Sequence, residues 1–175
     1  YDIKTINLLR AEAKIHVSLR QDMIDAGYTL TQVNLLGHQQ QGYCLPPFAS
    51  VAHLEDANRL SAADMGHFHE ATPSLDPVDM LQGDVYVPEY RNSGDGVASP
   101  AVISLRLRDR FGKESDYQLK FVDYDDASGA PTSRAVDILR NHYYQFQLYK
   151  GENDILHVNL NVRKWYYTEH DHIIM

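Results

Sequence analysis

Apolar residues recur at every second position in several short windows of this chain. Ile15, Val17 and Leu19 alternate with His16 and Ser18; Thr31, Val33 and Leu35 follow the Ala26-Gly27 turn; Val85 and Val87 precede Pro88. Ile103, Leu105 and Leu107 lead to Phe111-Gly112, and Tyr117, Leu119 and Phe121 come next. A period of two sends one row of side chains to a core and the other to water, so each window predicts a half-buried strand. The longest window runs from Val136 to Trp165. Tyr144, Phe146 and Leu148 alternate before a Gly-Glu-Asn-Asp turn, and Leu156, Val158, Leu160 and Val162 alternate after it, which predicts a long antiparallel hairpin. The pattern sums to about seven strands and a mainly β fold, an antiparallel sandwich whose simplest strand order is a meander.

Between the periodic windows the turn chemistry is explicit. Arg108 to Lys113 predicts a second hairpin connection, with Gly112 free to take a positive φ. Pro46 to Gln82 alternates weakly and predicts a long loop holding a short helix within Ala52 to Met65. Asn92 to Pro100 and Asp123 to Ser133 have the Gly, Asp and Ser content of exposed loops. No repeat or low-complexity linker divides the 175 residues, which read as one domain with its core over about 9–165 and a tail at 166–175.

Composition narrows the function classes. A net charge of -8 with no basic cluster argues against nucleic acid, because phosphate binding needs a concentrated cationic face. Arg106, Arg108 and Arg110 alternate with Leu105 and Leu107 and read as the solvated face of a sheet. The single cysteine, Cys44, has no internal disulfide partner and reads as a small buried hydrophobe. No apolar run is long enough to span a bilayer. A start at Tyr1 points to a piece or a processed product of a longer chain.

Candidate chemistry is sparse. His67 and His69, like His170 and His172, sit at i, i+2, which on a strand puts both imidazoles on one face. Zinc catalysis needs three fixed ligands and an open position, and neither a helical His-Glu-x-x-His nor a Cys pair is present to supply them. Asp123, Asp125 and Asp126 cluster around Tyr124, but the spacing fits no EF-hand loop and the following Ser128-Gly129 favours a solvated turn. There is no Gly-x-Ser-x-Gly and no phosphate-binding glycine loop. The expectation is a non-enzymatic chain with no cofactor.

Four short segments carry a family resemblance. Arg10-Ala11-Glu12-Ala13-Lys14-Ile15 ahead of a strand, Tyr86-Val87-Pro88-Glu89-Tyr90 at mid-chain, Arg140-Asn141-His142-Tyr143-Tyr144, and a last strand running to Trp165 occur in the order found in the fimbrillin superfamily. These are the type V pilus subunits and fimbrial anchor or tip proteins of Bacteroidales, and the resemblance covers about 9–165. Glu12 departs from it, since an apolar or small residue is commoner there. Asn141 tolerates a left-handed turn that would be costly for a β-branched residue, and Pro88 cannot donate to a ladder, which suits an edge strand.

The resemblance implies a transthyretin-like β-sandwich, the C-terminal domain of a two-domain subunit exported as a lipoprotein and matured by proteolysis after an Arg. It implies assembly by donor-strand exchange with other pilus subunits, and a place on the cell surface, at the outer membrane only through an N-terminal lipid anchor. The structural residues it points to are Arg140, Asn141 and Tyr144 at the long hairpin, Val158, Leu160 and Val162 in the core, and Trp165 at its end. The tail carrying Tyr166, Tyr167, Ile173 and Ile174 spans at most about 35 Å when extended, enough for a donated strand. The alternative is a module on the same sandwich that binds host carbohydrate or protein, with a shallow aromatic platform on loops containing Tyr90, Tyr124 or His67.

Overall fold

The computed structural model describes residues 10–45, 68–93, 97, 99–125, 127–151 and 155–165. Ten strands and one short helix follow in the order β1 (Glu12–Leu19), α1 (Gln21–Asp25), β2 (Thr29–Leu36), β3 (Val78–Asp79), β4 (Val85–Pro88), β5 (Val102–Arg108), β6 (Glu114–Lys120), β7 (Val122–Tyr124), β8 (Pro131–Ala135), β9 (His142–Lys150) and β10 (Leu156–Lys164). They form two four-stranded sheets, ordered β10-β9-β1-β4 and β3-β2-β5-β6, and a two-stranded ribbon of β7 and β8. The sandwich is as the pattern predicts. Its strand order is not a meander.

The difference lies in β1. It pairs antiparallel with β4 but parallel with β9, with Ile15 opposite Tyr144 and Val17 opposite Phe146. A parallel neighbour cannot be joined by a tight turn, so these strands must be distant in sequence, and periodicity has no means of naming such a partner. The two predicted hairpins are both present: β9 pairs with β10 from His142–Lys164 to Lys150–Leu156, and β5 with β6 across a turn where Gly112 has φ 83°. Asp109 closes that turn, its carboxylate accepting the N–H groups of Phe111 and Lys113 at 2.8 and 2.9 Å.

Alternation becomes a core where the two sheets face each other. Ala13, Ile15 and Val17 of β1, Tyr144, Phe146 and Leu148 of β9, Val33 and Leu35 of β2, and Ile103, Leu105 and Leu107 of β5 are all buried. Phe121, between β6 and β7, sets its ring edge-on to Phe146 and Tyr144, with centroids 5.1 and 5.9 Å away, spacings at which aromatic pairs attract beyond their area. Burial of each such side chain stabilises the fold by about 1.5–3 kcal/mol.

Other expectations shift locally. Asp123 to Ser133 is not simply a loop: β7 and β8 pair there, and every residue of β8 is exposed, so alternation had nothing to reveal it. Val136 to Asn141 is not part of the long hairpin, which starts at His142; Ile138 instead bridges to Tyr90. Cys44 is exposed rather than buried, because its backbone carbonyl and not its thiol faces the interior. Helix α1 was not foreseen. It is one turn, ended by Gly27 at φ 85°, with Gly27 N–H bonded to the Ile24 carbonyl and Tyr28 N–H to the Met23 carbonyl, the paired bonds that satisfy a helix C-terminus. Within the predicted Pro46 to Gln82 loop, β3 pairs with β2 and Ser74 bridges to His38, while Ala52 to Met65 lies outside the described residues.

Candidate functional site

The four segments that carried the family resemblance meet at one end of the β10-β9-β1-β4 sheet. Arg140 is the hub: its side chain is buried, and its guanidinium donates to Glu89 at 2.5 Å and to the backbone carbonyls of Tyr43 and Cys44 at 2.6 and 3.0 Å. Glu89 also accepts the Arg140 backbone N–H at 3.3 Å. A buried charge is tolerable only when paired and hydrogen-bonded, and these contacts supply both. They tie β4, the 43–44 segment and the start of β9 into one unit.

Asn141 follows with φ 57°, the left-handed conformation its short amide permits. Its N–H donates to the Glu12 carbonyl at 2.9 Å and its own carbonyl accepts the Trp165 N–H at 2.7 Å, so the turn clips the start of β1 to the end of β10. Arg10 locks the clip, donating to Asn141 Oδ1 at 3.3 Å and to the Trp165 carbonyl at 2.9 Å. Tyr144 pins the preceding segment: its buried hydroxyl accepts Leu139 N–H at 2.8 Å and donates to the Asp137 carbonyl at 2.7 Å. Burial holds that phenol well above the usual range, so it stays neutral and able to donate.

Trp165 was expected over the end of the core. It lies instead on the sheet's outer face, where its ring stacks on Tyr86 at 5.5 Å and the Arg10 guanidinium covers it at 4.3 Å. Tyr90, expected on an exposed platform, is 2% exposed and packs in the core. Tyr124 is half-buried, its hydroxyl bonded to the Lys120 backbone. His69 stands edge-on to Tyr43 at 5.0 Å. Among the described residues no three His, Cys, Asp or Glu side chains converge as a metal site. His67, His170, His172, Tyr166, Tyr167, Ile173 and Ile174 lie outside the described residues.

The sheet edges differ in what they offer a partner. β3 has two residues, β4 is short and ends in Pro88, and β6 carries Glu114, Asp116 and Lys120 toward solvent. β10 is nine residues long, and among the described residues no strand pairs with its outer edge. Its first half is sheltered: His157 is packed so closely under Gly129 that a Cβ there would lie 2.7 Å from the imidazole. Its second half is open. Val158 is buried and Leu160 half-buried, but Val162, expected in the core, is 39% exposed although its register with Tyr144 turns it to the inner face. The correction has a geometric cause: β10 is the outermost strand of its sheet, so this inner-facing side chain lacks the cover that Tyr144, one strand inward, receives from Phe121.

Among solved structures, a candidate cell adhesion protein from Parabacteroides distasonis superposes with a TM-score of 0.50 at 15% identity, over 90% of this chain and 52% of that one. The two share a fold. A C-terminally truncated tip fimbrial protein from Porphyromonas gingivalis has a TM-score of 0.45 at 15% identity, over 90% of this chain and 52% of that one. For a candidate cell adhesion protein from Bacteroides uniformis the values are 0.41, 11%, 89% and 50%. The chain spans about half the length of each protein. No family model matches it, and no curated protein matches its sequence.

Sequence reasoning named Arg140, Asn141, Tyr144 and Trp165 but not what they touch. Tyr86, Glu89, Lys14 and Tyr143 lie in the four segments without a role of their own, and Asp84 lies in none of them. Charge spacing along the chain carries no signal for partners 51 positions apart, as Arg140 and Glu89 are.

Proposed function

We propose that this chain is one β-sandwich of a type V pilus subunit, a structural or adhesive part of a surface fibre that joins its neighbours by strand addition along β10. The observation that carries the reading is the open second half of that strand. There Val162 faces inward yet is 39% exposed, beside a backbone edge with no partner among the described residues. An added strand satisfies the free N–H and C=O groups of such an edge, and its alternate side chains cover Leu160 and Val162, so one segment supplies both affinity and register. A head-to-tail contact of this kind does not close on itself and grows a filament.

The fold neighbour from Parabacteroides distasonis, described as a candidate for cell adhesion, supports a place at the cell surface. On this reading the partners are other pilus subunits, the outer membrane is reached through a lipid anchor on a longer product, and the chain catalyses nothing. The test is assembly of the full-length subunit. Incubated at high concentration, it is expected to form heat-stable, SDS-resistant multimers in which the Asn159 to Arg163 amides exchange more slowly than in the monomer. Val162→Asp is expected to abolish them while leaving the monomer's unfolding midpoint unchanged. Multimers that form equally well in the variant, or unaltered exchange along β10, would refute it.

A further inference from the structure

The outward side of the β10-β9-β1-β4 sheet has an order of its own. Register places four rows across it. At one end Arg163, Tyr143, Lys14 and Tyr86 lie side by side; the next row holds Asn161, Gln145 and His16; the third holds Asn159, Gln147 and Ser18; the fourth holds His157 and Tyr149. Aromatic rows thus bound two rows rich in amides, six residues apart along β9, or about 20 Å. Asn159 and Asn161 are exposed, and Gln145 and Gln147 are half-buried. At the fourth row the Gly129 turn stands against His157 and walls the face off. At the first, Arg10, Ala11, Glu12, Tyr86 and Trp165 line an open cleft of about 500 Å³.

We propose that this face binds a neutral oligosaccharide lying along the strands. An amide offers two N–H donors and a carbonyl acceptor without charge, the complement of a row of sugar hydroxyls, each of which also donates and accepts. Ring faces are electron-rich and suit the C–H surface of a pyranose; Tyr86, stacked on Trp165 and 46% exposed, presents such a ring at the cleft.

The charges at the rim do not favour an anion. Lys14 and His16 both contact Asp84, at 2.7 and 2.8 Å, and the hydrogen bond to that carboxylate holds the lysine above its ordinary range. Asp84 neutralises that part of the rim and offers a further hydroxyl acceptor. Arg163 and Lys14 stand over Tyr143 at 4.8 and 4.9 Å, so that ring is held by cations and Tyr86 is the ring this rim offers to a sugar face. The proposal does not rest on strand addition, because it uses the face of the sheet and not its edge.

The test is an NMR titration of the chain with hexasaccharides of the gluco-, manno-, xylo- and galacto- series, with heparin and polygalacturonate as charged controls. At least one neutral hexasaccharide is expected to shift the side-chain amide resonances of Gln145, Gln147, Asn159 and Asn161. Gln145→Ala with Asn161→Ala is expected to weaken binding tenfold or more, and Tyr86→Ala to do so independently; unchanged amide dispersion elsewhere in each spectrum checks the fold. Shifts with none of the neutral sugars, shifts with the anionic polymers alone, or full affinity in the double variant would each overturn the proposal. Because the readout is sugar binding by the monomer, its failure leaves the assembly experiment unaffected.

Discussion

Replacing Arg140 with Met tests whether the buried ion pair holds the sheet end together. The substitution keeps most of the side-chain volume but removes the guanidinium that donates to Glu89, to the Tyr43 carbonyl at 2.6 Å and to the Cys44 carbonyl at 3.0 Å. Glu89, 2% exposed, then loses that cation where water does not replace it. Removing one partner of a buried pair costs about 3–5 kcal/mol, most of it the penalty on the charge left behind. In a chain of 175 residues each kcal/mol lowers Tm by about 2–4 °C, so the expected fall is about 6–20 °C. The single tryptophan, Trp165, reports on this end of the sheet, and its fluorescence in urea gives the stability directly. The double replacement Arg140→Met with Glu89→Leu removes both charges and is expected to recover most of the loss, since an apolar pair of similar volume is often as stable as the ion pair. A loss below about 1 kcal/mol in the single variant, or a double variant showing the sum of the two single losses, would refute the reasoning.

Two further perturbations probe the same framework. Asn141→Gly is expected to stay within about 1 kcal/mol of the parent by urea unfolding, whereas Asn141→Val forces a β-branched residue to φ 57° and is expected to cost about 2 kcal/mol or more; equal stabilities would remove the turn from the argument. His38 is 4% exposed, and burial lowers its pKa below the ordinary 6.5, with Asp76 pulling more weakly the other way. The fold therefore prefers the neutral ring, so this contribution is fully present above the unfolded-state value near 6.5 and is lost as pH falls from there through the lowered native value. Denaturation midpoints between pH 7.5 and 5 are expected to decline in the parent by at most about 1.4 kcal/mol per pH unit from this group, and less steeply in His38→Gln. Identical slopes would show that His38 is not the source.

The segments behind the family resemblance acquire a physical meaning in three dimensions. Arg10, Tyr86, Glu89, Arg140, Asn141 and Trp165 come from four separated stretches, yet hydrogen bonds, an ion pair and stacked rings make them one cluster. They join both ends of the chain's core to the start of its longest hairpin and so link β1, β4, β9 and β10. Their order in the sequence is the linear trace of one closure.

What the sequence by itself determined were the quantities set by near neighbours. Period-two alternation located β1, β2, β4, β5, β6, β9 and β10 and told which side chains face inward, because a strand's pleat fixes that regardless of its partners; the exception is the start of β2, where a bulge between Leu30 and Gln32 pairs Leu30 rather than Thr31 with Leu107. Turn chemistry located the Gly112 hairpin, and a short amide marked the left-handed turn at Asn141. What only the tertiary structure decided were the matters of who lies beside whom. The parallel pairing of β1 with β9, the burial of Arg140 against Glu89, the exposure of Val162 on an outer strand and the assembly of two amide rows from β1, β9 and β10 all join residues far apart in the chain. An inward-facing side chain is buried only if something covers it, and a charge is tolerable inside only if a partner arrives. Both conditions are set by the packing of the whole sandwich, where no local pattern can register them.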